Sequence, residues 1–577
     1  MSLTRSLAVS AFILAALADR YPKEVLWSDK TFGPDGPWRA VKTNIGGKEI
    51  SLFPGTNWET WLIEDDYCGD GACYASEAGT HNRNKSGKTG NIDLDSNYSY
   101  FELGMNVEGG DTMRYVDDIE INGVTVTNAS LALIKSPSSK IKYPGTTAPF
   151  FAGCLSVGSN HGEYQYFDSK TQGEEVKTSM PPGFLWDQGY TPSNSFGLHI
   201  GSVEPDFAGS LWYGGYDRNR VAGDTITNEG NFKDAVTTIQ NITIDVISGK
   251  SPFDFNSTTT DLLAQGNTNE FKVMIDGCSP YLTLPKTTCD SIASNLPVTF
   301  NKTLGLYLWN TSSERYREII PSATALSFSF TSKSNTNPIK IRVPFMHLNL
   351  TLTTPLVDTP TQYFPCHVNE GGKYVLGRAF LQDAFLGANW DSEVNKWWLA
   401  QAPGPNIANT SSVLTIETTD STIRKGDTSW EDSWKGVWKD ADITGDDSTT
   451  GDDKAKGLST GAKAGIGAGV GVVGCLLILG AVYLWKRRQE NQSPSQSQNE
   501  GLIEDQSKIQ PDYQYYAPKI QELQSLPHYD SNTSWQSPSP SQAASEMQGS
   551  RPTPPELRGS EPTPRELQAQ ERIHEMA

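Results

Sequence analysis

The sequence predicts an all-β fold joined to a single transmembrane helix and a disordered tail. Short runs rich in Val, Ile, Thr, Tyr and Phe, separated by Gly, Asn, Asp and Pro, fill the chain from about Trp38 to Gln401. One uncharged apolar run follows at Ala464–Trp485, and the chain after Arg488 is rich in Pro, Gln and Ser. The 577-residue chain therefore combines a large folded part with accessory segments.

The region 38–401 has the pattern of β-strands. Residues Ile119–Val126 form a predicted hairpin with Asn122 and Gly123 at its turn, and Ile242–Val246 alternate apolar and polar side chains. Apolar residues at helical spacing are scarce. We therefore expect this region to be all-β.

The two ends of the chain indicate export and membrane insertion. Residues 1–18 contain Arg5, an apolar run and a small-residue cleavage pattern, which predict a signal peptide. Residues 464–485 are long enough, as a helix, to cross a hydrocarbon layer of about 30 Å. Three cations follow at 486–488, so the positive-inside rule places residues 486–577 in the cytoplasm. The sequence predicts a single-pass type I protein of the secretory pathway, with its ectodomain outside the cell.

Glycosylation sequons agree with an exported domain. Nine N-x-Ser/Thr sequons precede the predicted helix, at Asn84, Asn97, Asn128, Asn241, Asn256, Asn301, Asn310, Asn349 and Asn409. We expect these asparagines to be glycan acceptors. Asn491 and Asn532 lie behind the helix and should stay unmodified.

Charge and residue spacing argue against several classes of function. A net charge of −20 excludes a nucleic-acid partner, because phosphate backbones are bound by clustered Lys and Arg. The seven histidines are scattered without zinc spacing, and no Gly-rich phosphate loop is present. We expect no metal and no cofactor.

Two further segments lack the pattern of a folded core. Residues 406–463, rich in Thr, Ser, Asp and Gly, predict an acidic, solvated stalk. Trp430, Trp434 and Trp438 allow an alternative, in which one helical face packs on the domain or lies at the membrane surface. Residues 486–577 predict a disordered tail that could engage a proline-reading or signalling partner.

Several motifs together resemble one known family. Two segments with the same pattern, Leu52–Trp61 and Met274–Thr283, each run from an apolar strand end into a glycine turn. Further motifs occur at Ser195–Ile200, Gly209–Tyr216 and Tyr374–Leu381. In their order and spacing they resemble the pepsin-like aspartic proteases, particularly fungal members. The resemblance implies a bilobal acid-protease fold within an ectodomain at 19–405, with an N-lobe at about 38–215 and a C-lobe at about 216–401.

The resemblance also implies disulfide bonds, which suit an exported domain. Cys68 and Cys73 match a short disulfide loop of the family, and Cys289 and Cys366 suit a second bridge in the C-lobe. Cys154 and Cys278 lie near the two active-site loops in the alignment. They are either buried thiols, which we favour, or bonded to each other.

The catalytic pair of the family is incomplete in this sequence. An aspartic protease needs two carboxyl groups that share one proton. The resemblance places Asp276 at one position and Pro54, seven residues before Trp61, at the other. A proline side chain cannot ionise or accept a proton. Asp276 is therefore expected to be a remnant that accepts backbone N–H bonds in its own turn.

Other acids near the first loop are weaker candidates for a replacement carboxyl group. They are Glu59, Asp65, Asp66, Asp93 and Asp95. The leading hypothesis is accordingly a pseudoenzyme whose ectodomain binds an extended peptide or a cell-surface glycan in its cleft. The alternatives are an active membrane-anchored aspartic endopeptidase with an atypical loop, and a structural cell-surface glycoprotein.

Overall fold

Strands dominate the computed structural model of the chain. The structure describes residues 20–56, 60–69, 73–83, 105–109, 112–158, 164–168, 175–230, 236–264, 270–368 and 373–439. The predicted signal peptide, membrane helix and tail lie outside these residues, as do Asn84 and Asn97. No helix among the residues described is long and apolar enough to span a membrane.

Alternating apolar and polar residues form strands throughout the first half of the domain. These strands are β1 (Lys23–Glu24), β2 (Trp27–Phe32), β3 (Trp38–Ile45), β4 (Lys48–Gly55), β5 (Thr60–Ile63), β6 (Asn106–Glu108), β7 (Thr112–Ile121), β8 (Val124–Ile134), β9 (Lys140–Lys142), β10 (Thr147–Ala148), β11 (Gly153–Ser156), β12 (Tyr164–Asp168), β13 (Glu175–Ser179), β14 (Ser195–His199), β15 (Ser210–Tyr213) and β16 (Gly215–Asp217). The predicted hairpin is confirmed, because β7 and β8 meet at Asn122 and Gly123, both with positive φ.

The second half repeats this composition of short strands. They are β17 (Thr225–Glu229), β18 (Val236–Val246), β19 (Phe271–Ile275), β20 (Leu282–Leu284), β21 (Val298–Asn301), β22 (Leu306–Trp309), β23 (Thr324–Thr331), β24 (Ile339–Pro344), β25 (Leu350–Leu352), β26 (Thr361–Phe364), β27 (Cys366–Val368), β28 (Val375–Leu376), β29 (Ala384–Asn389), β30 (Lys396–Gln401) and β31 (Val413–Thr415).

Helices in the described residues are short. They are α1 (Pro181–Asp187), α2 (Lys286–Ala293), α3 (Glu314–Ile319), α4 (Arg378–Leu381) and α5 (Trp430–Ser433), with 3-10 turns at Asp65–Cys68, Tyr74–Glu77 and Arg218–Arg220. The expected all-β class is therefore confirmed for the residues described.

Three large sheets build a two-lobed domain. A nine-stranded sheet forms the N-lobe in the order β12-β13-β8-β5-β11-β4-β3-β2, with β7 pairing β3 and β8. A seven-stranded sheet forms the C-lobe in the order β24-β23-β18-β19-β28-β20-β27. A six-stranded sheet, β1-β15-β14-β29-β30-β17, takes strands from both halves of the chain and joins the lobes. The folded part begins before the expected position 38, because β1 and β2 already belong to these sheets.

The same three-strand unit occurs once in each lobe. In the N-lobe, β11 runs parallel to β4 and antiparallel to β5. In the C-lobe, β28 runs parallel to β19 and antiparallel to β20. The two glycine turns recognised in the sequence therefore end equivalent strands and face each other between the lobes.

The stalk prediction is wrong for residues 406–439. Strand β31 pairs with β16, and α5 packs on the C-lobe with Trp430 and Trp434 at most 2% exposed. The polar composition was misleading, because the segment satisfies its backbone with side chains of the domain. Asn389 alone donates to the carbonyl oxygens of residues 417, 418 and 420. The alternative, in which the tryptophans pack on the domain, is the one the structure has. Residues 440–463 lie outside the described ranges.

Candidate active site

Strand register decides which N-lobe residue stands opposite the aspartate of the C-lobe. Pro54 is paired with Leu155 on the middle strand of the N-lobe unit, and Ile275 is paired with Leu376 in the C-lobe. The two leucines are equivalent in the alignment of the lobes. Pro54 therefore corresponds to Ile275, and Gly55 corresponds to the aspartate that follows Ile275.

Contacts between the lobes lead to the same assignment. The Oγ1 of Thr56 donates to the carbonyl oxygen of Ile275 at 3.3 Å. Gly277 occupies the corresponding position in the C-lobe, where an added Cβ atom would overlap the carbonyl oxygen of Pro54. The two lobes thus pair residue 56 with residue 277 and residue 54 with residue 275. Gly55 is left at the counterpart of the aspartate.

The placement of Pro54 opposite Asp276 is therefore wrong by one residue. Counting seven residues back from Trp61 locates the counterpart of Asp276 only if both loops have equal length. Trp61 and Thr283 both face the middle strand of their unit, yet Trp61 lies six residues after residue 55 and Thr283 seven after residue 276. The N-lobe loop is one residue shorter. The chemical conclusion is unchanged, because neither glycine nor proline carries a carboxyl group.

Asp276 serves as a hydrogen-bond acceptor between the lobes. Its Oδ1 accepts from the backbone N–H of Thr56 at 3.1 Å and of Cys278 at 3.0 Å. The residue is 1% exposed, and its Oδ2 meets no protein donor. Burial raises the pKa of Asp276, and the bonds from Cys278 and Thr56 oppose that rise.

A disulfide bond occupies the space beside Gly55. Cys154 and Cys278 are bonded, with their Cα atoms 5.8 Å apart, so the expectation of two free thiols is wrong. A Cβ atom on Gly55 would overlap the Sγ of Cys278 and lie 2.7 Å from the Sγ of Cys154 and 2.9 Å from the Oδ1 of Asp276. A second aspartate therefore cannot be accommodated at position 55 while the bond is intact.

The other two expected disulfides are present. Cys68 is bonded to Cys73 beside the 3-10 turn that follows β5, and Cys289 on α2 is bonded to Cys366 at the start of β27. Neither of these two disulfide bonds contains a residue that donates a hydrogen bond to Asp276. The Cys154–Cys278 bond differs from both in joining the two lobes.

A buried arginine donates hydrogen bonds to the C-lobe turn. The Nη1 of Arg378, the first residue of α4, donates to the carbonyl oxygens of Gly277 and Cys278 at 3.0 and 2.9 Å. Its guanidinium lies 3.9 Å from the ring centroid of Phe53. Arg378 as a whole is 4% exposed. The cation and the aspartate turn are thus fixed to one another.

Polar side chains from both lobes fill the space next to this arginine. The hydroxyl groups of Tyr143 in the N-lobe and Tyr281 in the C-lobe are 2.9 Å apart, and both residues are buried. Asp35, also buried, accepts from the Nε1 of Trp38 at 2.9 Å. Burial raises the pKa of Asp35, while the charge of Arg378 opposes the rise. This layer is a packed interlobe contact beside Asp276.

The proposed replacement acids do not complete a pair. Asp65 is engaged with Asn82, whose Nδ2 donates at 2.8 Å, and with Thr80 and Lys48. Asp66 is exposed. Glu59, Asp93 and Asp95 lie outside the described residues. Within those ranges, no group of His, Cys, Asp or Glu side chains is arranged to hold a metal ion.

Several residues of the site had no signal in the sequence. Arg378 and Asp35 read as ordinary charged residues, and Tyr143 is remote from both glycine turns along the chain. Tyr281 and Arg378 lie within the recognised motifs Met274–Thr283 and Tyr374–Leu381, but those motifs assign neither residue a role. Their roles depend on the approach of the two lobes, which no local pattern encodes.

Comparison with known proteins identifies the family. The family model described as eukaryotic aspartyl protease matches residues 58–402, more than half of the chain. The chain therefore belongs to the eukaryotic aspartyl protease family. The matched range begins after Gly55, so it does not include the altered N-lobe turn. A search of curated proteins gave no match.

Proposed function

We propose that this protein is a catalytically inactive aspartyl protease homologue, used as the binding or sensing ectodomain of a type I membrane glycoprotein. The observation that carries the proposal is the environment of Asp276. Its counterpart is Gly55, and a disulfide takes the place of a partner side chain. The reaction needs one carboxyl group to draw a proton from water while its partner protonates the substrate carbonyl. A lone carboxyl group cannot perform both transfers.

The membrane part of the proposal rests on the sequence. The signal peptide at 1–18, the apolar run at 464–485 and the cations that follow it support a type I topology. Four of the sequons carry exposed asparagines suited to glycan attachment, at Asn128, Asn256, Asn310 and Asn409. Asn241, Asn301 and Asn349 are half-buried, so we expect the exposed four to be the more fully occupied.

A cavity between the lobes is the place we assign to a ligand. It measures about 220 Å³ and has Tyr74, Glu77 and Phe151 of the N-lobe on one side and Thr353 of the C-lobe on the other. Asp276 itself is 1% exposed and offers no surface to a ligand. An extended peptide or a glycan would therefore use this cavity and the surface around it, with aromatic rings for apolar contact and Glu77 for polar contact.

Peptide hydrolysis tests the loss of catalysis. The purified protein is incubated with a mixed peptide library between about pH 3 and 6, beside an active aspartic protease as an assay control. We expect no cleavage above the protein-free background, because no second carboxyl group shares the proton of Asp276. The matched variant Asp276→Asn should give the same background. Turnover that Asp276→Asn abolishes would establish the rival function, an active endopeptidase with an atypical loop.

A further inference from the structure

We call residues 429–438 the tryptophan clamp. They lie at the C-terminal end of the residues that the structure describes. Helix α5 of the clamp begins at Trp430 and is capped by Ser429, whose Oγ accepts from the backbone N–H of Asp432 at 3.1 Å. The ring of Trp438 stacks on Trp434 at 5.4 Å and meets Trp430 edge-on at 5.4 Å. The three indoles therefore form one compact group.

The clamp packs in a small hydrophobic cluster of its own. Trp430 and Trp434 are buried with Ala325, and the cluster is completed by Ala222, Ile247, Met346, Val437 and Trp438. None of these residues belongs to the main core of the two lobes. Because local stability follows the contacts that a segment makes, the clamp can separate from the domain without opening the main core.

Few polar contacts hold the clamp to the domain. Ser433 is the main anchor: its Oγ accepts from the backbone N–H of Gly404 at 2.7 Å, and its carbonyl oxygen accepts from the backbone N–H of Asn406 at 3.1 Å. The Nδ2 of Asn406 also donates to the carbonyl oxygen of Lys435 at 2.6 Å. Arg342 pairs with Glu431 at 3.2 Å on a partly exposed surface, where an ion pair contributes little.

The docked clamp gives its three indole donors no partner among the described residues. The Nε1–H groups of Trp430, Trp434 and Trp438 are buried and meet no acceptor there. A buried donor without an acceptor destabilises the docked arrangement. A second environment that offers acceptors to the indoles, and still removes their rings from water, competes with the docked one. The lipid–water interface is such an environment, and tryptophan is enriched there.

We propose that the clamp exchanges between its site on the C-lobe and the surface of the bilayer. The inference rests on the proposed type I topology. From residue 438 to the predicted span at residue 464 there are 26 residues, enough to reach about 85 Å when extended. The charges near the indoles have mixed signs, with Glu431, Asp432 and Asp440 beside Lys435 and Lys439. A zwitterionic phosphatidylcholine surface is therefore a sufficient partner.

One glycine allows the docked state to be weakened without altering the clamp. A Cβ atom on Gly404 would lie 2.6 Å from the ring of Trp434, so Gly404→Ala pushes the ring off its site. The matched control is Gly223→Ala, whose Cβ would make an ordinary contact of 3.4 Å with Gln401. Both substitutions lie outside the predicted membrane span and outside the two glycine turns at residues 55 and 277.

The test uses the full chain in phosphatidylcholine nanodiscs. Hydrogen exchange measured by mass spectrometry should be at least about tenfold faster in the clamp than in β18 and β23, and Gly404→Ala should accelerate the clamp about tenfold more. Brominated phosphatidylcholine should quench more tryptophan fluorescence in Gly404→Ala than in Gly223→Ala. Replacing the three clamp tryptophans by phenylalanine should remove that difference.

Distinct results would overturn the inference. Clamp amides that exchange no faster than the two strands would show that the clamp opens only with the whole domain. A freed clamp without extra quenching would exclude the lipid surface as its partner. A chain that does not enter the nanodisc overturns the type I topology and this inference with it, whereas a chain that enters while its clamp stays docked overturns the inference alone.

Discussion

Replacing Cys154 and Cys278 together by alanine is expected to lower the free energy of unfolding by about 3–5 kcal/mol. The bond spans 124 residues and joins the lobes, so its removal returns much conformational freedom to the unfolded chain. Urea unfolding of the purified protein with its disulfides intact, followed by fluorescence, measures the change. Peptide mapping without reduction should first show the two cysteines in one linked pair.

The Cys68–Cys73 bond provides the matched control. It spans five residues, so the same entropic argument gives a loss of about 2 kcal/mol for the double alanine variant. Equal losses in the two variants would indicate that the Cys154–Cys278 bond is not the long-range link described above.

Acidification is expected to destabilise the fold through two buried histidines. Burial, with Arg220 as a second cause, lowers the pKa of His199 from 6.5 to about 3. Burial lowers that of His367 from 6.5 to about 4. The unfolded histidines take up protons below pH 6.5, while the folded ones do so only near pH 3 and 4. Their contribution to stability is therefore complete above pH 6.5 and is lost as the pH falls, by about 3 kcal/mol each at pH 4.

Two variants isolate this effect from the buried acids. Burial raises the pKa of Asp276, Asp35 and Asp383, so these groups favour folding at low pH and oppose the histidines. The total change in the free energy of unfolding on acidification therefore combines two opposing effects. The test is the difference in its pH slope between each histidine variant and wild type.

His199→Gln keeps a donor for the carbonyl oxygen of Gln382, 2.8 Å from the Nε2 of His199. His367→Phe keeps the ring that stacks on Tyr281. Each should flatten the loss of stability between pH 6.5 and 4 by about 3 kcal/mol. Slopes unchanged from wild type would contradict the buried, neutral state of these rings.

Much of the site was predictable from local patterns. The repeated glycine turns and the motif Tyr374–Leu381 predicted equivalent loops in two lobes, and both turns end strands of matching three-strand units. The short spacing of Cys68 and Cys73 matched a disulfide loop of the family, and that bond is present. Asp276 accepts a backbone N–H from its own turn, as expected of a structural carboxylate.

The rest depended on distances that only the folded chain defines. Cys154 and Cys278 belong to different lobes, and their bond became evident only when the lobes were placed together. The shift from Pro54 to Gly55 arises from a loop that is one residue shorter, which changes register without a mark in the composition. The segment 406–439 is polar in sequence, yet its backbone pairs with β16. Composition predicts solvation, but tertiary pairing overrides it.

The arrangement gives a physical reason for the tolerance of a lost aspartate. In the interlobe contact a covalent bond and a single carboxylate now join the two turns, through Cys278 and through the backbone N–H of Thr56. Both lobes keep their turns in place without a second charge. The contact between the two turns therefore does not depend on a second carboxylate.

The most direct test of this role compares two substitutions of Asp276 by urea unfolding. Asn keeps an oxygen for the N–H groups of Thr56 and Cys278, so Asp276→Asn should stay within about 1 kcal/mol of wild type. Ala leaves both buried donors without an acceptor, so Asp276→Ala should lose about 2–4 kcal/mol. Equal stability of wild type and Asp276→Ala would contradict the interlobe role assigned to this carboxylate.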